Sequence, residues 1–287
     1  MRFDEIGQQL RTYRLESGLK ADEIAARLGI SRTARYRYEK GEVIKLDTVR
    51  RLAEMLQLSP LALLGIGVDY FSRVASFLER ERHIQEEADR QLQLAGAFSL
   101  ALASEGFLQI LRRLSQEAAN MVPNSAVDQC LILLAQRRLV LEQRRPRIIA
   151  MLSEAAIRRF LTDGICAGLP LAERSRAEAR AAALTEAENL ANQMEQAPLG
   201  VQIGLLPEPE PINQAMIFRN RERGFVKSNP FPADAHPTWA QGIVSVTSAD
   251  DALAVHQRVT EGCWRQACKG MAAAQRLRIL IAEVQAG

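Results

Sequence analysis

The chain has 287 residues, 47% of them hydrophobic and 5% aromatic, a composition that excludes global disorder and a length that suits two domains. Its formal net charge is only +3, yet residues 1–65 hold 12 Lys and Arg against 9 Asp and Glu, so the whole excess lies in the N-terminal fifth. A local cationic surplus on a neutral body fits a module that faces phosphates.

In chain order, residues 3–65 read as five short helices. FDEIGQQLRTYRLESG places Ile6, Leu10 and Tyr13 at three- and four-residue steps and stops at Gly18. KADEIAARLG is a second helix ended by Gly29. Ser31 then offers an N-cap for a third, which runs to about Lys40 with Gly41 beyond it. LDTVRRLAEMLQL gives a fourth, with Leu46, Val49, Leu52, Ala53 and Leu56 on one side. Ser59 and Pro60 open a fifth, and Gly65 and Gly67 mark a joint.

Beyond the joint, VDYFSRVASFLERERHIQEEADRQLQL reads as one long amphipathic helix with Tyr70, Val74, Phe77, Ile84 and Ala88 on one face. Residues 67–95 are then a connector, either an ordinary helix with a solvated face or a dimer-forming one. Further helices are expected at 98–117, 125–144, 147–162 and 171–196. The pattern then changes: GVQIGLLPEPEP is a strand leaving into a proline-closed loop. QAMIFRNRERGFVKSNPF is two short strands around a polar turn at 220–224, and GIVSVTS is another strand. Ser248 with Asp251 resembles a capping box that opens a last helix through Val284. The expected fold class is mainly α with a small antiparallel sheet: residues 1–66 a helical head, residues 96–287 an α+β body.

A helix, a four-residue turn and a second helix let the second project into a major groove while the first crosses the DNA backbone. Gly29 tolerates the positive φ of such a turn, and Ile24, Ala25, Leu28 and Ile30 pack the pair. Helical spacing sets Arg32, Tyr36 and Lys40 on one stripe with Thr33 and Arg37 beside it. Arg32 can fork onto guanine, and Thr33 offers a hydroxyl or a methyl. Tyr36 and Arg37 reach a phosphate or a base edge, while Lys40 and Lys45 neutralise phosphates. Ser31 and Lys20 complete the candidate DNA-binding set. Glu39 reads as structural, paired with a basic neighbour such as Arg35. Tyr36 and Tyr38, two apart, should point one outward and one inward.

Residues 6–64, with EIAARLGIS, RYEKGE and VRRLAEMLQLSP at matching places, resemble the XRE helix-turn-helix family of lambda-repressor and Cro-like fold. The resemblance implies a five-helix DNA-binding domain whose reading helix carries Ser31, Arg32, Thr33, Tyr36 and Arg37. Two residues depart from the family pattern. Ala21 stands where Gln often contacts the DNA backbone, and Arg35 stands at an aliphatic, core-facing place, where it must snorkel or pair. More weakly, QRRLVLEQRRPRIIAMLSEAAIRRFL, GVQIGLLP, KSNPF and CWRQACKGMAA are similar to the effector half of antitoxin-like XRE regulators, which implies engagement of a protein partner or a signal.

Other features have plain readings. The arginines at 137, 138, 144, 145 and 147 fit a solvated helix face better than a second phosphate contact. Phe218, Phe231, Trp239 and Trp264 are core residues by default and a ligand pocket as the alternative. Cys130, Cys166, Cys263 and Cys268 form no CxxC pair, Cys263 and Cys268 diverge on a helix, and His83 and His256 stand alone; neither metal nor cofactor is expected. Scattered cysteines and an acidic start suggest a cytoplasmic chain without a signal peptide, and no window spans a membrane. Serine–lysine self-cleavage at Ala95–Gly96 is disfavoured: it needs an all-β body, residues 68–196 read as helical, and the bond would fall inside a helix. The expectation is a non-enzymatic, cytoplasmic, sequence-specific transcriptional regulator: a dimeric repressor on double-stranded operator DNA, with a body that senses a small-molecule effector or a small protein partner. The alternative is an antitoxin-like interaction module that autoregulates its operon.

Overall fold

A computed structural model of the chain describes residues 3–40, 46–56, 58–63, 67–118, 124–211, 213–233 and 240–286. The head consists of α1 (Phe3–Ser17), α2 (Ala21–Leu28), α3 (Arg32–Glu39), α4 (Leu46–Leu56) and α5 (Pro60–Leu63). Leu10, Tyr13, Ile24, Leu28, Val49, Leu52, Ala53, Leu56 and Leu63 meet in its core. The three-to-four residue spacing read from the sequence is therefore the spacing that buries one stripe of each helix.

The body is built on β1 (Val68–Phe71), α6 (Val74–Glu87), β2 (Arg90–Leu94), α7 (Phe107–Ala118), α8 (Asn124–Arg144), β3 (Arg147–Ser153), α9 (Glu154–Asp163) and α10 (Glu173–Gln196). It continues with β4 (Val201–Leu206), β5 (Ala215–Arg219), β6 (Gly224–Ser228), β7 (Val244–Thr247), α11 (Asp250–Gln266), β8 (Cys268–Lys269) and α12 (Gly270–Ala286). Among the described residues the strands form one sheet in the order β1-β7-β6-β5-β2-β3-β4-β8. β2, β3 and β4 run parallel and the other pairs antiparallel. The molecule is thus mainly helical as expected, but its sheet is mixed and eight-stranded rather than small and antiparallel.

Helices cover both faces of that sheet. One face carries Phe71, Val244, Val246, Phe218 and Met216 under α6, α7 and α8. The same face continues as Ile148, Ala150, Leu152, Ile203 and Leu205 under α9, α10 and α12. The opposite face, with Leu94, Met151, Leu206, Ile217 and Val226, packs on α11.

Five expectations of local structure fail. Residues 67–95 are not one helix but strand, helix, strand: in VDYF the even-numbered residues Val68 and Tyr70 are exposed while Asp69 and Phe71 are buried, a period of two. Residues 147–162 split into β3 and α9, because RIIAMLS lies in the middle of the sheet and is apolar on both sides, which hides any period. The last segment is two helices, α11 and α12, separated by β8 and by Gly270 at φ +59. The N-cap of α11 is Ala249, with no side-chain cap bond, so Ser248 and Asp251 form no capping box. The Ala95–Gly96 bond follows β2 in a loop, with φ +60 and +91, and is not helical.

Head and body are joined through α1. Asp69 on β1 is buried and accepts hydrogen bonds from Tyr13 Oη (2.5 Å), Gln9 Nε2 (2.9 Å) and Arg80 Nε (3.1 Å). The Glu16 carboxylate accepts from the Ser72 amide and hydroxyl and the Arg73 amide, and from the Ser76 hydroxyl. Arg11 pairs with Glu79 of α6 at 3.0 Å. At the end of α1, Gly18 has φ +70 and lies under the Arg73 guanidinium, which an added Cβ would strike.

Candidate nucleic-acid interface

The helix pair α2 and α3 is set by its caps. The Glu23 carboxylate accepts from the Lys20 amide at 2.7 Å at the start of α2. Gly29 closes α2 at φ +67, ψ +32, with its own amide and that of Ile30 returned to the carbonyls of Ala26 and Ala25. This is the left-handed position at which a Cβ costs about 1–2 kcal/mol. Ser31 then caps α3, its Oγ accepting from the Ala34 amide at 3.0 Å.

From behind, α3 is held by Tyr38, packed on the head core, and by Glu39, whose Oε1 accepts from Arg14 Nε at 2.9 Å. Glu39 thus pairs with a basic residue, as expected of a structural role, and the described partner is Arg14 of α1. On the outer side Thr33, Tyr36, Arg37 and Lys40 are exposed, Tyr36 at 56%. Lys40 Nζ stands 5.6 Å from the Tyr36 ring centroid, so a cation and an aromatic edge share one patch. Lys20 and Ser31, which precede α2 and α3, are also exposed. The backbone at Arg32 and Arg35 is helical, but their side chains, and all of Lys45, lie outside the described residues.

Among the described residues Phe218, Phe231 and Trp264 pack in the core, the default reading, and do not meet around one pocket, the alternative. Phe218 lies on the sheet face under α6 and Phe231 packs edge-on to Phe77 with centroids 5.7 Å apart. Trp264 is on the opposite face, against Met151 and Leu206, with Lys269 Nζ 4.9 Å from its ring. Trp239 lies outside the described residues. Nor is the basic run on α8 uniformly solvated: Arg137 is buried against Glu81 at 2.9 Å, while Arg144 pairs with Asp89 on the surface. His83 sits between Glu79 and Glu86 of its own helix. His256 Nδ1 is 2.8 Å from the Ala252 carbonyl and Nε2 is 3.0 Å from Ser228 Oγ, tying α11 to β6. Among the described residues no group of three or more His, Cys, Asp or Glu is placed to hold a metal ion. In the same set no helix is long and apolar enough to cross a membrane.

Sequence reasoning missed Asp69, Glu79, Glu81, Gln91, Gln93 and Lys227, all buried. For Asp69, Gln91, Gln93 and Lys227 the signal is period-two: within VDYF, RQLQL and GFVKS a polar residue occupies a place whose strand neighbours on the same face are apolar.

A family model described as a helix-turn-helix domain matches residues 5–65, the five-helix head. No curated protein matches the chain. The head is therefore a helix-turn-helix domain, the module of DNA-binding regulators, and it is carried on a body more than three times as long.

Proposed function

We propose that the chain is a sequence-specific DNA-binding transcriptional regulator of the XRE type, a dimeric repressor whose α3 enters the major groove of double-stranded operator DNA. The observation that carries this reading is the outer side of α3: Thr33, Tyr36, Arg37 and Lys40 stand exposed on a helix pinned from behind by Tyr38 and the Arg14–Glu39 pair. Each protomer takes one half-site, with half-sites about one helical turn apart. The body is non-catalytic and receives the input, and a ligand that favours one spacing of the two reading helices shifts operator affinity by population. The four free thiols accord with a reducing, cytoplasmic setting.

Gel shifts of the purified chain on the DNA upstream of its own coding sequence test the reading, run across a salt series. Tyr36→Ala and Arg37→Ala should each weaken specific binding about tenfold to a hundredfold and leave the melting temperature unchanged. Lys40→Ala and Lys20→Ala should weaken specific and non-specific binding alike and lower the salt slope by about one. Unchanged specific binding in both Tyr36 and Arg37 variants removes α3 from the reading role.

A second reading, an antitoxin-like partner binder, draws on one surface. Val255 and Val259, one turn apart on α11, are each 51% exposed. They line a groove of about 700 Å³ together with the loop Pro207–Pro211. A small protein that co-purifies with the wild type and not with a Val255→Asp, Val259→Asp variant would favour it.

A further inference from the structure

A polar cavity inside the body has no part in DNA reading. It lies between β2, β5 and β6 of the sheet, helices α6 and α8 and the segments 95–101 and 230–233, and has a volume of about 50 Å³. Its charged lining residues are Glu81, Arg137 and Lys227, each at least nine-tenths buried. Both cations converge on one oxygen: Arg137 Nη2 lies 2.9 Å from Glu81 Oε1, and Lys227 Nζ donates to the same atom. Arg137 Nε donates to Gln85 Oε1 at 3.0 Å. Two cations against one carboxylate leave an excess positive charge in the protein interior, an arrangement that is costly until an anion joins it. Desolvation accordingly pulls Lys227 down to about 8 and Arg137 below its ordinary value.

A second, independent feature lies on the same wall. Gln93 Nε2 donates to the carbonyls of Ala95 (3.3 Å) and Phe98 (3.1 Å), which fixes the amide orientation. Its Oε1 is then a buried acceptor with no donor. Native interiors rarely leave such an atom unmatched.

We propose that this cavity binds a small oxyanion carrying its own O–H, whose charged oxygens meet Arg137 and Lys227 and whose hydroxyl donates to Gln93 Oε1. At about 10–15 Å³ per water the space holds roughly four waters, or an anion of about four or five heavy atoms. Hydrogen phosphate, hydrogencarbonate and a short hydroxycarboxylate share that chemistry. α6 connects the site to the head: Glu81 and Gln85 project from one side of the helix into the cavity, while Ser76, Glu79 and Arg80 on its other side bind Glu16, Arg11 and Asp69. This transmission rests on the proposed DNA-reading function; binding at the cavity does not.

Calorimetry on the full chain, in a buffer free of oxyanions, tests the site with sodium hydrogen phosphate, glycolate and acetate. One anion should bind per chain, with glycolate about two- to tenfold tighter than acetate because acetate cannot satisfy Gln93. Lys227→Met should weaken binding about tenfold or more. Without ligand it should melt at or above the wild-type temperature, since it removes the excess charge. Gln93→Leu should erase the preference for glycolate over acetate. No saturable binding of either O–H-bearing anion, or wild-type affinity in Lys227→Met, overturns the site. A wild-type glycolate preference in Gln93→Leu overturns the role of its acceptor. Because calorimetry contains no DNA, anion binding that leaves gel shifts unchanged overturns only the transmission through α6. Absence of any operator binding strikes the regulator reading and leaves the cavity result standing.

Discussion

Glu79 sits fully buried on α6 and is reached by Arg11, Arg82 and His83. Burial alone would raise its pKa, but the hydrogen bonds from His83 and Arg82 and the Arg11 charge prevail and hold it at about 2, against 4.5 in the unfolded chain. A depressed folded pKa stabilises above the unfolded value and is lost as pH falls through the folded one. Urea midpoints should therefore drop between about pH 5 and 2 in the wild type, and drop less steeply in Glu79→Gln. His83 works in the opposite direction. Burial lowers its pKa, yet its bonds to Glu79 and Glu86 leave it raised above 6.5, so its contribution is complete below that pH and fades as pH climbs past the raised value. Lys227, depressed to about 8 from 10.5, penalises the fold at neutral pH and relents as pH rises through that interval. The wild type should thus gain stability between pH 8 and 10.5, and Lys227→Met should show no such gain.

At the scale of elements, α3 is a short helix that depends on what grips it. Arg14→Ala leaves the half-buried Glu39 carboxylate without its α1 partner. It should destabilise the head by about 1 kcal/mol, seen as faster amide exchange in α3 before any change in the body. That helix was legible in the sequence, because a glycine with positive φ and a serine cap are local signals that need no tertiary partner to be read. Its partner Arg14 was not, since a pair across 25 positions follows from packing and not from spacing. The body shows the same divide more sharply. The hairpin at 220–224 and the strands at 201–206 and 244–247 carry turn and alternation signals. The flanks of α6 alternate too, but Asp69, Gln91 and Gln93 put polar atoms on inward positions, which disguises β1 and β2 as the ends of an amphipathic helix. The candidate DNA-facing residues were visible one by one, whereas the cavity needed four elements to bring Gln93, Glu81, Arg137 and Lys227 together.

For the whole molecule, Asp69 decides whether head and body act as one unit. Replacing it with Ala strands Tyr13 Oη, Gln9 Nε2 and the Arg80 guanidinium in a buried seam. The expected loss is about 3 kcal/mol or more, because one partner of a buried charge pair is removed. Scanning calorimetry should then resolve a separate, lower transition for the head, while a single transition shared by both would argue against the seam as the coupling. Tyr13 itself is held protonated by desolvation and by the neighbouring carboxylate, so it donates to Asp69 throughout the ordinary pH range.

The glycine at the end of the first helix has a bearing on engineering. With Arg73 of the body lying over Gly18, the DNA-binding module is contoured to its own carrier. A chimera cut near residue 66 and grafted to a foreign receiver would inherit a bare tyrosine and an orphaned glutamate at the splice. Interchangeable parts would have to include β1 and α6, so the portable cassette ends near residue 87, well past the apparent boundary.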